Sequence, residues 1–160
     1  LPDNTPLIRV MPNINARVGA ASSALCGNAQ ITEQQMHIAE ALFHTVGETY
    51  RMEEKMFSAF TAICGSAVAF AFMYIDALAS AGVKAGRSRE LATQLAIQST
   101  AGCMQLLAIE GSHPMQVVDQ ICSPAGTTIE GVHKLRELGF ENCIYQGIQA
   151  ITDKDKAMGQ

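Results

Sequence analysis

The segment Ser123-Pro124-Ala125-Gly126-Thr127-Thr128-Ile129-Glu130-Gly131 concentrates residue types able to hold a small anion. Pro124 fixes one backbone angle and Gly126 opens conformations other residues avoid, so a tight turn delivers the chain into a helix start. The first turn of a helix has unpaired N–H groups and a positive partial charge, which together hold a carboxylate or phosphate. Thr127 reads as a cap, and Thr128 offers a further hydroxyl. Turn mechanics alone favour a plainer reading, in which both threonines only start a helix and Thr127 forms a capping box with Glu130.

The remaining reactive residue types are dispersed. His37 and His44 lie seven apart on one helix face, His113 precedes a proline, and His133 follows the loop; each reads as a surface or core histidine. No Ser/His/Asp set and no carboxylate pair stands out, so no catalytic side chain is assigned. Cys26, Cys64, Cys103, Cys122 and Cys143 show neither Cys-x-x-Cys nor zinc spacing, so no metal site is expected. They read as inert core thiols of a reduced, cytoplasmic protein.

The elements that position these residues follow from composition and periodicity. The 160 residues suit one domain, and 48% are apolar, which is ample for a core. Charged residues make up 16%, below the usual ~25%, and the net charge is −4 without a basic stripe, so a nucleic-acid partner is not expected. No two of the thirteen glycines are adjacent or two apart, which excludes a dinucleotide fingerprint, and no P-loop is present. The opening Leu1-Pro2-Asp3-Asn4 has neither a basic nor an apolar leader region and does not read as a signal peptide.

Residues 1–30 read as an extended lead-in with a short strand at Leu7–Val10. Residues 31–160 read as all-α. Thr32 and Gln35 form a capping box for a first helix that Gly47 ends. Thr49–Met52 reads as a short strand or a loop, and helices are expected over 54–63 and 67–81, broken at Gly65-Ser66 and ended by Gly82. Ser88 caps a helix to Glu110, His113-Pro114 starts one to Gln120, Thr127 starts one to Leu138, and a last one runs over 141–157. Two runs, Met56–Ile75 and Leu91–Ile109, carry no charge and approach bilayer length. Their Ser, Thr and Gln content and the lack of a Lys/Arg excess on one side argue against a membrane span. A helix without a polar face then needs cover that a second subunit supplies.

Several separated motifs resemble one family, the pyrroline-5-carboxylate reductases. Arg9-Val10-Met11-Pro12-Asn13 is similar to its Arg-x-Met-Pro-Asn, and Gly65-Ser66 followed by Ala69 to its Gly-Ser-x-Pro-Ala-Tyr. Ala77–Gly86 resembles its Ala-Leu-Ala-Asp-Ala-Gly-Val-Lys-x-Gly. Asp119–Ile129 resembles its Asp-Gln-Val-x-Ser-Pro-Gly-Gly-Thr-Thr-Ile, and Gly139-Phe140 the end of a Gly-Gly-Phe. Order and spacing agree from residue 9 onward.

The resemblance implies an all-α dimerisation and substrate-binding domain over 31–160, with 1–30 leading in from an N-terminal Rossmann domain upstream. It implies reduction of pyrroline-5-carboxylate to proline with NADP or NAD as cofactor, bound mainly by that upstream domain, so that this fragment alone is inactive. It implies a homodimer of interlocked helices, or a higher oligomer. Gly126, Thr127 and Thr128 then bind the substrate carboxylate, Thr128 contacts the ring, Ser66 lies near the active site, and Asn13 lies near the nicotinamide end of the cofactor. With this, the anion-site reading of the loop displaces the cap-only one. Ile14, Asn15, Val68, Phe70 and Ala125 depart from the family pattern. A divergent cyclic-imine reductase and a non-catalytic helical assembly module are the alternatives.

Overall fold

The computed structural model of the chain describes residues 2 and 4–158. Leu1 and Asp3, at the start of the expected lead-in, and the last two residues lie outside the described residues. The chain divides into two compact units, one formed by residues up to Val68 together with those from Gly147 onward, the other by Ala69–Gln146.

The first unit is built on a three-stranded sheet in the order β1-β2-β3: β1 Ile8–Met11, β2 Ala21–Gly27 and β3 Gly47–Arg51. β1 is antiparallel to β2, with Met11 opposite Ala24. β2 is parallel to β3, with Ala21 opposite Gly47, and α1 (Glu33–His44) makes the crossover that a parallel pair requires. The centre of this unit is β2, where Ala21, Ser23, Ala24 and Leu25 are all buried. Sequence reading placed no strand there, because Ala-Ser-Ser-Ala-Leu-Cys-Gly lacks the β-branched residues that mark strands. Small residues suit this strand because neighbours close on it from several sides. A Cβ at Gly27 would lie 2.8 Å from Met36 Cε, so the bare glycine admits α1 and its buried Met36.

Gly47 does not end α1, as expected, but starts β3. The helix stops at His44, with Thr45 as its C-cap. Gly47 has φ +149°, and a Cβ there would come within 2.1 Å of the Ala21 carbonyl oxygen. The Thr32/Gln35 capping box forms as expected. β3 is tied to α1 by Arg51, which pairs with Glu33 and Glu40, its Nη2 lying 2.7 Å from Glu40 Oε2. The hydrogen bond from Arg51 holds the Glu40 carboxyl below its ordinary range.

After a short turn at Glu54–Met56 come α2 (Phe57–Phe60) and a π-helical turn, Thr61–Ser66, with Phe57 and Ala62 buried. The expected break at Gly65-Ser66 is thus a π turn, closed by Ala67 N–H donating to Ala62 O over five residues.

The second unit is helical. α3 (Val68–Lys84) leads into it, followed by α4 (Arg89–Glu110), α5 (Pro114–Ile121), α6 (Thr127–Glu137) and the start of α7 (Phe140–Met158). Gly82 lies inside α3 instead of ending it. A Cβ at Gly82 would sit 2.9 Å from the Ala92 side chain, so its absence lets α3 and α4 close on each other. The core of that contact is Ala79, Ala92 and Ala96, with Ile75 packed on it. Arg89 braces it by donating to Ser80 Oγ at 2.9 Å. Ser88 caps α4 as expected, and α5 starts at Pro114 as expected, with the His113 side chain as an N-cap that was not expected.

The large apolar residues of these helices remain uncovered. Phe72, Met73, Leu95, Ile97, Met104 and Ile109 are exposed, Ile109 to 85%. Glu54–Lys84 is long and apolar enough to cross a membrane by length and composition. The fold as a whole is the helical domain with a short N-terminal lead-in that the sequence implied, although its strands continue to Arg51.

Gly47→Ala combines an unfavourable φ with contact against the β2 backbone. It is expected to lower unfolding stability by about 2–4 kcal/mol, measured by urea denaturation.

Candidate functional site

Two groups of candidate residues are built by different local structures. The first surrounds Asn13, which caps the 3-10 turn Ile14–Val18 that follows β1. Its Oδ1 accepts from Asn15 N–H at 3.2 Å and from Ser22 N–H, at the start of β2, at 3.4 Å. Its Nδ2 donates to Cys64 O, in the π turn, at 2.9 Å. Two residues before Asn13, Met11 makes a second contact with the same turn. Thr61 Oγ1 donates to Met11 Sδ at 3.0 Å, and a Cβ at Gly65 would lie 3.1 Å from Met11 Cε. The π turn ends on Ser66, which is half-buried, so the structure brings Asn13 to the turn that carries Ser66. Periodicity reading missed this turn because one extra residue in a helical run leaves the apolar pattern nearly intact.

The second group is the loop before α6. Gly126 is the N-cap, with φ −81° and ψ 165°, and Thr127 is the first helical residue. The expected capping box of Thr127 with Glu130 therefore does not form; the helix begins one residue earlier than that box requires, and no side chain caps it. Thr127 and Thr128 are exposed, and no hydrogen bond from either hydroxyl is found among the described residues. The turn is tight: Gly126 N–H donates to Ser123 O at 3.0 Å, and a Cβ at Gly126 would lie 2.3 Å from Ser123 Oγ. Ala125 has φ +55°, the one positive φ at a non-glycine position among the described residues. The loop thus adopts the glycine-type geometry with an alanine in it. Uncapped amides and two free hydroxyls at a helix start suit a carboxylate.

The histidines stay at the surface. His37 stands beside Glu33, Glu40 and Arg51; His113 Nδ1 accepts from Met115 N–H at 3.2 Å; His44 and His133 are exposed. The cysteines correct the core-thiol expectation: all five are unpaired, none is buried within the chain, and Cys103 and Cys143 are exposed. Cys26 lies in a strand. No cluster of metal-ligating side chains exists among the described residues. Sequence reading also passed over Arg9 as more than a motif letter. It stacks on Phe57 at 4.5 Å, pairs with Glu54, and lines a cleft of about 570 Å³ with Ser58, Thr61 and Asp155.

A helical dimerisation region is what this arrangement defines, since residues 54–158 match the family model for pyrroline-5-carboxylate reductase dimerisation. The chain is 40% identical over 152 residues to the pyrroline-5-carboxylate reductase of Aquifex aeolicus, covering 95% of itself and 57% of that relative. It is 39% identical over 159 residues to the enzyme of Thermus thermophilus, covering 99% and 60%. The crystal structure of 1-pyrroline-5-carboxylate reductase from Streptococcus pyogenes superposes with a TM-score of 0.94 at 36% identity, covering 97% of this chain and 60% of that one. The Plasmodium falciparum pyrroline carboxylate reductase with NADP bound gives 0.94 at 30%, covering 99% and 64%. The chain belongs to the pyrroline-5-carboxylate reductase family. It spans little more than half the length of the curated relatives it matches.

Ala125→Gly should remove the cost of alanine at a positive φ. A gain of about 0.5–1 kcal/mol in unfolding stability is expected by chemical denaturation, net of the extra unfolded-state entropy of glycine.

Proposed function

We propose that this chain is the C-terminal part of a cytoplasmic enzyme that reduces pyrroline-5-carboxylate to proline with NADPH or NADH. In this reading the chain supplies the homodimer interface and the loop that binds the substrate carboxylate. The observation that carries the proposal is the uncapped, hydroxyl-rich start of α6 at Gly126-Thr127-Thr128, in a chain of this family. Residues 1–30 lead in from an upstream nucleotide-binding domain, and the helical region that follows carries dimerisation and substrate binding. The five unpaired thiols support a reducing compartment. Neither nucleic acid nor a membrane has a place in this reading, and the apolar stretch Glu54–Lys84 is assigned to subunit contact.

The chemistry supplied by a bound nicotinamide is hydride donation to the ring carbon of a C=N bond. That division of labour asks no nucleophile of the protein, which accords with the dispersed histidines and cysteines. The Thr127 and Thr128 backbone N–H groups hold the substrate carboxylate, and the Thr128 hydroxyl orients the ring. Ser66, on the π turn, is the further substrate-side residue. Asn13 belongs to the cofactor side of the site, but its acceptor oxygen is already engaged by Asn15 and Ser22 and its amide by Cys64. Its side chain does not fit as the main ligand of the cofactor, which falls to the upstream domain.

In the full-length protein, Thr128→Ala is expected to lower kcat/KM for pyrroline-5-carboxylate about tenfold, the kinetic equivalent of about 1.4 kcal/mol in transition-state binding. Steady-state assays with each nicotinamide cofactor check this. Unchanged kinetics would remove Thr128 from the site, and a wild-type protein inactive with both cofactors would overturn the proposed activity.

A further inference from the structure

We propose that Asn13 is a positioning residue: it holds the π turn Thr61–Ser66 in place, and through that turn sets Ser66. The consequence for catalysis rests on the reading of Ser66 as a substrate-side residue; the hold on the turn does not.

The argument starts from the backbone of a π turn. Widening a helix by one residue takes carbonyls and amides out of the i to i+4 ladder, and such turns persist where something else fixes them. Here the turn closes on itself through Ala67 and Ala62, and its Cys64 carbonyl accepts a hydrogen bond from outside the helix, 2.9 Å from Asn13 Nδ2. Asn13 can serve as a fixed donor because its other end is anchored. Oδ1 accepts from two backbone N–H groups, one capping the 3-10 turn and one opening β2. The side chain therefore ties the sheet to the turn through a planar amide, with both polar atoms used. Met11 supplies the second point of contact, its sulfur and terminal methyl lying against Thr61 and Gly65. A turn held at Thr61, Cys64 and Gly65 has little freedom left at Ser66, the next residue.

The bonds at the two ends of the amide can be separated. Asn13→Asp keeps an acceptor for Asn15 and Ser22, and aspartate is a good N-cap. It replaces the donor facing the Cys64 carbonyl with a second oxygen, so that contact becomes repulsive. Asn13→Ser also keeps a capping acceptor but is too short to span to Cys64, and it serves if the aspartate variant does not fold.

The test uses the full-length, cofactor-free protein and reads amide hydrogen exchange by mass spectrometry. Exchange across residues 61–68 is expected to quicken at least about tenfold in the variant, with β1–β3 unchanged. In the same variant kcat/KM for pyrroline-5-carboxylate is expected to fall roughly fivefold to tenfold. The same substitution in a Ser66→Ala background should then cost less than about twofold, and NADPH affinity, titrated by its fluorescence, should stay within about twofold. Unchanged exchange in 61–68 would overturn the proposal, as would a large loss of NADPH affinity with exchange unaltered, the signature of a cofactor ligand. Quickened exchange in a protein whose wild type does not reduce pyrroline-5-carboxylate would sustain the hold on the turn and overturn the catalytic reading instead.

Discussion

The constraint on which the structure depends is the mismatch between what α3 and α4 contain and what they bury. Their mutual contact consists of alanines, Ala79, Ala92 and Ala96, closed tightly because Gly82 has no side chain to keep Ala92 away. The large apolar residues of the same helices face outward, among them Phe72, Met73, Leu95 and Met104. Burial of apolar area is the main favourable term in folding, and alanine contributes little of it. Large apolar residues left exposed on two helices are what an interface would cover. In the proposed reading a second copy of this chain covers that face, the matched family model being one of dimerisation.

The sheet unit solves a different problem. It is self-covered around β2, and small residues at Ala21, Ser23, Gly27 and Gly47 allow β3 and α1 to approach closely. From this scaffold the β1 corner reaches the π turn with Met11 and Asn13. The loop before α6 meets its own local demand, holding Ala125 at a positive φ and leaving both threonine hydroxyls free. Ser66 thus stands at the end of the π turn, and Thr127 and Thr128 at a helix start without a side-chain cap.

What was legible in the sequence was chiefly what local chemistry dictates. The caps at Thr32 and Ser88 read correctly because an N-cap is a short-range hydrogen bond between residues three apart. The uncharged runs read correctly as helical. What was not legible depends on tertiary contact. β2 has weak strand propensity and is a strand because it is central. Gly47 and Gly82 read as helix ends, but their bare Cα atoms serve close approach instead, to Ala21 and Ala92. The π turn hides within an apolar run. Thr127 lost its capping role because the turn at Ala125-Gly126 starts the helix one residue early. The loop motif points to Gly126, Thr127 and Thr128 because Pro, Gly and paired Thr signal a helix start able to take an anion.

The most direct test of the central claim is the solution mass of the protein by light scattering coupled to size exclusion, without detergent and at micromolar concentration. The account predicts a mass of at least two subunits, with helical circular dichroism retained. A folded species of one subunit's mass, keeping its helices while the α3 and α4 faces stay in water, would contradict it.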